Sequence, residues 1–446
     1  MVKSSYSLAL AIIILGLAVA WRVSTQTAQV LPKNQPLKLQ ATLKNESKIY
    51  DRSQVLTIGD SKFYVDLYPR YRVGDKLIIE GEIDGAGRSY SPKIELVGRE
   101  ANLATTFAGL RAKIAQNVSG LLPAREATLL SGTVLGVDEI DREFRDLLVK
   151  TGTIHVVVVS GQNLAIVAGV FLSLTRYLGR RESLAAAVLA VFFYALLSGF
   201  EPPVIRACIM VILGAIAIYS GRESLPIWNL VMAALLIVFI WPRALFEISF
   251  QLTFAATLGI MTLGRLLLDL FAGPAALHPR PTASLVLSPA STTPTLNTDS
   301  AKGFSPGARR GPPTRVTRSF ISNLFIQNAA IATSAYLFTA PVILFYFGRI
   351  SPIAPLANIL VAEAVFPIMA LGFLTALFSL VFWPIAQVLA YLAYVPAFYF
   401  VKVVEILARL PIDQVILGKN NLFLVLTFYI LVISLILVWT QKAKSS

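Results

Sequence analysis

The chain has 446 residues, of which 56% are hydrophobic and 14% charged, with a formal net charge of +14 and a mean hydropathy of +0.68. A soluble globular chain carries about 25% charged residues, so a deficit of this size, with apolar runs of about twenty residues or more, excludes a wholly soluble protein and places the chain in a bilayer. One cysteine (Cys208) and two histidines (His155 and His278) exclude an intramolecular disulfide, a thiolate cluster and a histidine-rich metal centre; neither a metal nor another cofactor is expected.

Lys3 precedes an apolar run from Tyr6 to Trp21. Residues 1–25 read as a signal anchor or a cleaved signal peptide, and Trp21-Arg22 directly after Ala18-Val19-Ala20 favours the anchor, with Lys3 holding the N-terminus inside. Residues 26–100 alternate apolar and polar positions, as in Lys62-Phe-Tyr-Val-Asp-Leu and Lys76-Leu-Ile-Ile-Glu-Gly-Glu-Ile, between turns at Gly59-Asp60, Gly74-Asp75 and Gly85-Ala-Gly87. That period of two predicts about five short antiparallel strands in an all-β barrel, with an OB-like fold the leading candidate, outside the cytoplasm. Its aromatics Tyr50, Phe63, Tyr64, Tyr68, Tyr71 and Tyr90 are interleaved with Lys62, Arg70, Arg72 and Arg88. Aromatics beside cations are how OB folds hold single strands, although several of these rings must also build the barrel core. Lys62, Tyr64, Arg70 and Arg72 are the candidate contacts.

Residues 101–150 are amphipathic and too charged to span a membrane, so they predict helices lying at its surface or packed on the bundle. Pro123 suits a helix start. Asp138 is the expected cap of the next helix, which carries Ile140, Phe144, Leu147 and Leu148 on one face and ends near Gly152. From there the chain reads as a bundle in two parts, 151–271 and 320–446, with spans near 153–175, 184–199, 203–219, 225–241, 247–271, 320–347, 352–382, 384–408 and 421–440. With the anchor this makes about ten spans. The segment 272–319 is rich in Pro, Ser, Thr and Ala and basic, so it reads as a disordered cytoplasmic loop. Placing it inside puts Arg176…Arg181, Arg222 and Lys442…Lys444 inside as well, as the positive-inside rule requires. Both termini are then cytoplasmic.

The densest polar cluster in the apolar part is Thr151-Gly-Thr-Ile-His155-Val-Val-Val-Val-Ser160-Gly161-Gln162-Asn163. Hydrogen-bonding groups at membrane depth need partners, and glycine permits close packing or an interrupted helix; helix–helix glue and pore lining both fit. His155 and Ser160, five residues apart, lie off a common helical face, which argues against a hydrolase. Arg206 follows Glu201-Pro202-Pro203 by three to five positions and sits one to two turns into a span. A charge there is costly unless paired or hydrated; it reads as a snorkelling arginine, a phosphate contact, or a partner of Glu201 or Glu247. Pro202-Pro203 predicts a break in the helix. Gln251, Asn358 and Glu363 are further polar groups inside apolar runs.

Five segments in order resemble the ComEC-type competence family: Leu121-Leu-Pro…Leu129-Leu-Ser-Gly-Thr-Val-Leu-Gly136; Thr151-Gly…His155…Ser160-Gly161; Ser198-Gly199…Arg206-Ala207…Met210; Phe246-Glu-Ile-Ser-Phe250-Gln251…Gly259; and Tyr346-Phe-Gly348…Asn358. Gly74-Asp75-Lys-Leu-Ile-Ile-Glu-Gly81 also resembles that family's OB-like domain. Where the family commonly has Leu-His after Ser-Gly, this chain has Gln162-Asn163, and Pro203 stands where serine is usual. The resemblance implies a polytopic membrane channel that imports single-stranded DNA across the cytoplasmic membrane during natural transformation. The path it implies is lined by His155, Ser160, Gly161, Gln162, Asn163, Glu201, Arg206, Gln251 and Asn358. It further implies a helicase-like cytoplasmic motor and an extracytoplasmic DNA receptor. Many family members carry a histidine-rich nuclease-like domain; with two histidines here, the nuclease is expected to be a separate protein. No covalent chemistry is expected. A secondary transporter of an anionic small molecule, built around the broken helix at Pro202-Pro203, is the alternative.

Overall fold

Alternation of buried and exposed positions builds the N-terminal part of the described chain into a β-domain. The computed structural model describes residues 35–219, 226–272 and 314–434, apart from interruptions at 44–45, 51–52, 60, 86, 159, 174, 413, 417, 419–421, 424 and 433, together with residue 16. Nearly all of the anchor expected within 1–25 and of the loop expected over 272–319, and the chain beyond 434, lie outside the described residues. Strands β1 (Pro36–Thr42), β5 (Asp75–Glu82) and β7 (Lys93–Arg99) form one antiparallel sheet in the order β1-β5-β7. A second sheet has the order β2-β3-β4-β6, from β2 (Lys48–Tyr50), β3 (Ser53–Ile58), β4 (Ser61–Asp66) and β6 (Arg88–Tyr90), with β4 and β6 parallel. On β4, Ser61, Phe63 and Val65 point inward and Lys62, Tyr64 and Asp66 outward. Leu43, Leu56, Phe63, Val65, Tyr71, Leu77, Ile79 and Ile83 fill the interior. Burial, and then the carboxylate of Asp75, raises the Tyr71 hydroxyl above its ordinary pKa. Gln54 is fully enclosed but satisfied: its Nε2 donates to the carbonyls of Asp66 (2.9 Å) and Pro69 (2.6 Å), and its Oε1 accepts from Tyr71 N (3.2 Å).

The helices begin at α1 (Leu103–Ser119), opened by a reciprocal capping box between Asn102 and Thr105. Helix α2 (Ala124–Leu135) is enclosed along most of its length; of the two placements open to this region, it takes packing within the bundle. Helix α3 (Arg142–Thr151) starts one turn later than expected. Asp141, not Asp138, is its cap, accepting from Phe144 N at 2.7 Å. Asp138 instead pairs with Arg145 at 2.5 Å. The expected span at 153–175 is broken into α4 (Ile154–Val157), an extended residue Val158, and α5 (Gly161–Ser173). There follow α6 (Thr175–Leu178), α7 (Arg180–Leu197), α8 (Pro202–Tyr219), α9 (Pro226–Ile240), a 3-10 turn (Pro242–Phe246) and α10 (Ile248–Ala272). Helix α11 (Thr314–Phe347) begins earlier than the expected 320, directly after Pro312-Pro313, which suits a helix start. A short pair, β8 (Arg349–Ile350) and β9 (Val415–Ile416), flanks the long hairpin of α12 (Ala354–Val381) and α13 (Trp383–Ala408). Residues 425–432 are helical.

Among the described residues, four helical segments are long and apolar enough to cross a membrane: Ile248–Leu268, Ile326–Phe347, Ala354–Val381 and Trp383–Ala408. Gly161–Ser173, Pro202–Ala217 and Ile227–Ile240 are apolar but shorter. At 1.5 Å per residue a span needs about 20 residues, so a broken or short helix fails that test, and the count of about ten is not reproduced. The chain is a multi-pass helical membrane protein with a small N-terminal β-domain.

The apolar interior is divided. The largest core draws on α1–α5, α7, α8, α12 and α13 and on no residue of α9, α10 or α11. Those three helices have their own clusters, one around Ile237, Val238, Ala244 and Phe250, the other around Leu263, Leu266, Phe338 and Val432. The two bodies meet at α8–α9, α8–α10 and α11–α12, with Ile209 of α8 packed against the first of these clusters.

Candidate functional site

The break between α4 and α5 explains the polar cluster in the sequence. Helix α2 ends inside the bundle, so its last carbonyls need donors other than water. The Thr133 carbonyl receives two: Asn163 Nδ2 at 2.9 Å and the Tyr194 hydroxyl at 3.0 Å. Asn163 is only 1% exposed. Ser160 starts α5, its carbonyl accepting from Asn163 N (3.2 Å) and its Oγ donating to Asn163 Oδ1 (3.2 Å). Gly132 lets the two segments approach; a Cβ there would lie 2.4 Å from the Val157 carbonyl oxygen. Asn163 therefore closes the end of a neighbouring helix, whereas the adjacent Gln162 is exposed. Gly161 lies beside Ala207 of α8, 3.5 Å from where its Cβ would be. His155, on α4, is exposed.

Helix α8 opens with Pro202-Pro203 after a turn at Ser198–Glu201, so the expected break falls at this turn. Glu201 is half-buried, and its carbonyl accepts from Val204 N and Ile205 N. Arg206, one turn into α8, is 2% exposed. Its guanidinium hydrogen-bonds to α10: Nη2 donates to Ser249 Oγ (2.7 Å), the Ser249 carbonyl (3.1 Å) and Thr253 Oγ1 (3.1 Å). Its Nε is enclosed without an acceptor. This bond crosses the seam between the two apolar bodies, and Asn328 Nδ2 to Glu363 Oε1 (2.5 Å) crosses it again between α11 and α12. Gln251 is used locally, its Nε2 donating to the Leu245 carbonyl (3.1 Å). Asn358 Oδ1 is enclosed and has no partner.

On the β-domain, the exposed face of the second sheet carries Lys62 and Tyr64 of β4 opposite Arg88 and Tyr90 of β6. Tyr64 and Tyr90 stack at 5.1 Å with 17° between their planes, and Tyr90 is 62% exposed. Arg88 and Tyr90 share the exposed face of β6. Arg70 lies over the ring of Tyr68, which is 70% exposed, and Arg72 is exposed nearby. Phe63 and Tyr71 belong to the core instead. Pairing of β4 with β6 is not visible in local periodicity, so Arg88 and Tyr90 were absent from the candidate contacts. Ser249 and Thr253 were missed because a polar residue one turn apart from another is ordinary in a helix.

The fold and the site define a multi-pass helical membrane protein with a broken helix and an enclosed guanidinium at the junction of two apolar bodies. Residues 134–442 match the family model described as competence protein. The chain belongs to the competence protein family. A 124-residue stretch is 36% identical to an uncharacterized protein of Aquifex aeolicus (strain VF5), covering 28% of this chain and 28% of that protein, so the chain aligns with under a third of that relative's length. No solved structure matches.

Proposed function

We propose that this protein is a channel that passes single-stranded DNA across the cytoplasmic membrane during natural transformation. The observation that carries the reading is Arg206, a guanidinium enclosed at the junction of two apolar bodies, held by hydroxyls and a carbonyl and with one N–H unused. A polyanion needs a polar, hydrated route, and a guanidinium hydrogen-bonded to neutral groups keeps its charge for a phosphate that reaches the seam when the two bodies part. The accessible His155 and Gln162 extend that polar route on the α4–α5 side. Ser160, Gly161 and Asn163 shape the route by fixing the break, Glu201 and Gln251 stand at the start of α8 and on α10, and Asn358 stands on α12. The residues act by contact and charge, without covalent chemistry.

In this reading the β-domain is OB-like and lies outside the cytoplasm. Its support is the chain order: β6 of one sheet runs through Ser91-Pro92 directly into β7 of the other, as a continuous barrel wall requires. Lys62, Tyr64, Arg88 and Tyr90 receive the strand, with Arg70 and Arg72 at its edge. Residues 151–271 and 320–446 form the two parts of the membrane domain, with both termini inside. A helicase-like motor, an outer DNA receptor and a separate nuclease complete the import route.

Strand-specific uptake of labelled DNA tests the proposal. Deleting the gene should abolish entry of the strand while DNA remains bound outside; undiminished entry would overturn it. For the β-domain face, Tyr90→Ala should weaken single-strand binding by the purified protein roughly five- to hundredfold, since stacking on an aromatic is worth about 1–3 kcal/mol per base.

A further inference from the structure

Helix α8 is positioned from outside the bundle. Arg111, on α1, is 5% exposed, and its Nε and Nη2 both donate to Glu46 Oε1 of the β1–β2 connection, at 2.9 and 2.5 Å. Its Nη1 reaches the Leu197 carbonyl at 3.4 Å. That carbonyl is the last of α7, where helix carbonyls lack donors and favour a cation. The next residues form the tight turn into α8: Gly199 has φ +81° and Phe200 has φ +54°. A Cβ at Gly199 would lie 2.1 Å from Arg111 Nη1, so this glycine is required both by its backbone conformation and by the guanidinium packed on it. Three pieces of the molecule thus meet on one side chain: the β-domain, α1, and the turn that launches the helix carrying Arg206.

We infer that the Glu46–Arg111 ion pair is a latch that holds the β-domain to the α7–α8 turn and thereby sets the position of α8. On the strand-passage reading above, displacement of the β-domain would be transmitted through this latch to Arg206. Arg111 is a positioning residue; it touches neither the proposed β-face nor the seam. Glu46 is the accessible half of the pair, its side chain 39% exposed against 6% for Arg111, so it can be changed without opening the core.

Cys208 is the sole cysteine of the chain and sits on α8 two residues beyond Arg206, half-buried against α7 with Sγ 3.9 Å from the Val191 carbonyl. It reports the α7–α8 packing with no DNA present. In membranes carrying the full chain, Glu46→Ala should raise the rate of Cys208 alkylation by a membrane-permeant maleimide several-fold, and Glu46→Asp should restore it partly. An unchanged rate in Glu46→Ala would overturn the latch. Gly199→Ala, which drives the guanidinium out sterically, should give the larger increase if the protein accumulates. Strand uptake measured on the same Glu46→Ala cells separates the two claims: faster alkylation with undiminished uptake would sink the transmission to Arg206 while leaving the channel reading intact, since that reading stands or falls on gene deletion.

Discussion

The end of α2 and the seam between α8 and α10 both bury polar side chains among apolar helices, but they close their hydrogen bonds differently. At the end of α2, Asn163 and Tyr194 meet a carbonyl that lacks an intrahelical donor, and Ser160 meets Asn163. At the seam, Arg206 spends one nitrogen on three acceptors and leaves its Nε with none. A buried polar residue with its bonds complete is explained by packing. One with capacity left over is either a cost the fold tolerates or a place where something else binds. The contrast separates architecture from candidate transport residues more sharply than polarity does.

The largest expected effect lies at the seam. Arg206→Ala should lower strand uptake roughly ten- to hundredfold, the size that follows from losing a charge-assisted contact worth about 1.5–3 kcal/mol, with membrane abundance unchanged. Arg206→Lys keeps the charge but not the fork that reaches Ser249 and Thr253, and should fall between. If both variants take up DNA normally, the seam is packing like the end of α2 and the contrast fails. Next in size is Asn163→Ala, which should show the reverse pattern. The Thr133 carbonyl keeps Tyr194, so thermal unfolding in detergent should report a loss of about 1–3 kcal/mol. Gln162→Ala, one residue away and exposed, should stay within about 0.5 kcal/mol of the parent. Equal losses at both positions would mean that the α4–α5 break is not closed as described.

The placement of these residues shows what a sequence carries. Strand alternation in Ser61–Asp66 and the helix start after Pro123 are local, set by period and by backbone chemistry, and both are readable. So was the interruption before Pro202, because proline lacks an N–H. The α4–α5 break was only an open option, since four consecutive valines read as a continuous span. What breaks it is the buried end of α2, thirty residues upstream in sequence, and no local pattern carries that. The cap of α3 was misplaced by one turn because Asp138 and Asp141 are equally good caps; Arg145, reaching back to Asp138, decides between them. Asp141→Ala should therefore cost about 1 kcal/mol, and Asp138→Ala less, as half-exposed ion pairs contribute little. Arg111 carries no local signal, because an arginine in an amphipathic helix is expected to face solvent and its partner lies in another domain.

The smallest expected effect is the most discriminating. Asn358 Oδ1 is enclosed without a donor, in a helix whose neighbouring residues Ile353 and Ala357 pack with Leu407. If that oxygen is only a tolerated defect, Asn358→Leu removes an unsatisfied group of similar size and should leave stability unchanged or slightly raised, with uptake as in the parent. If Asn358 belongs to the route as Arg206 is proposed to, stability should behave the same way, but uptake should fall. Asn163→Leu offers the control: there both amide atoms are bonded, and the same substitution should destabilise the protein. A polar group whose loss harms transport without harming the fold is what the seam predicts, and the end of α2 predicts its opposite.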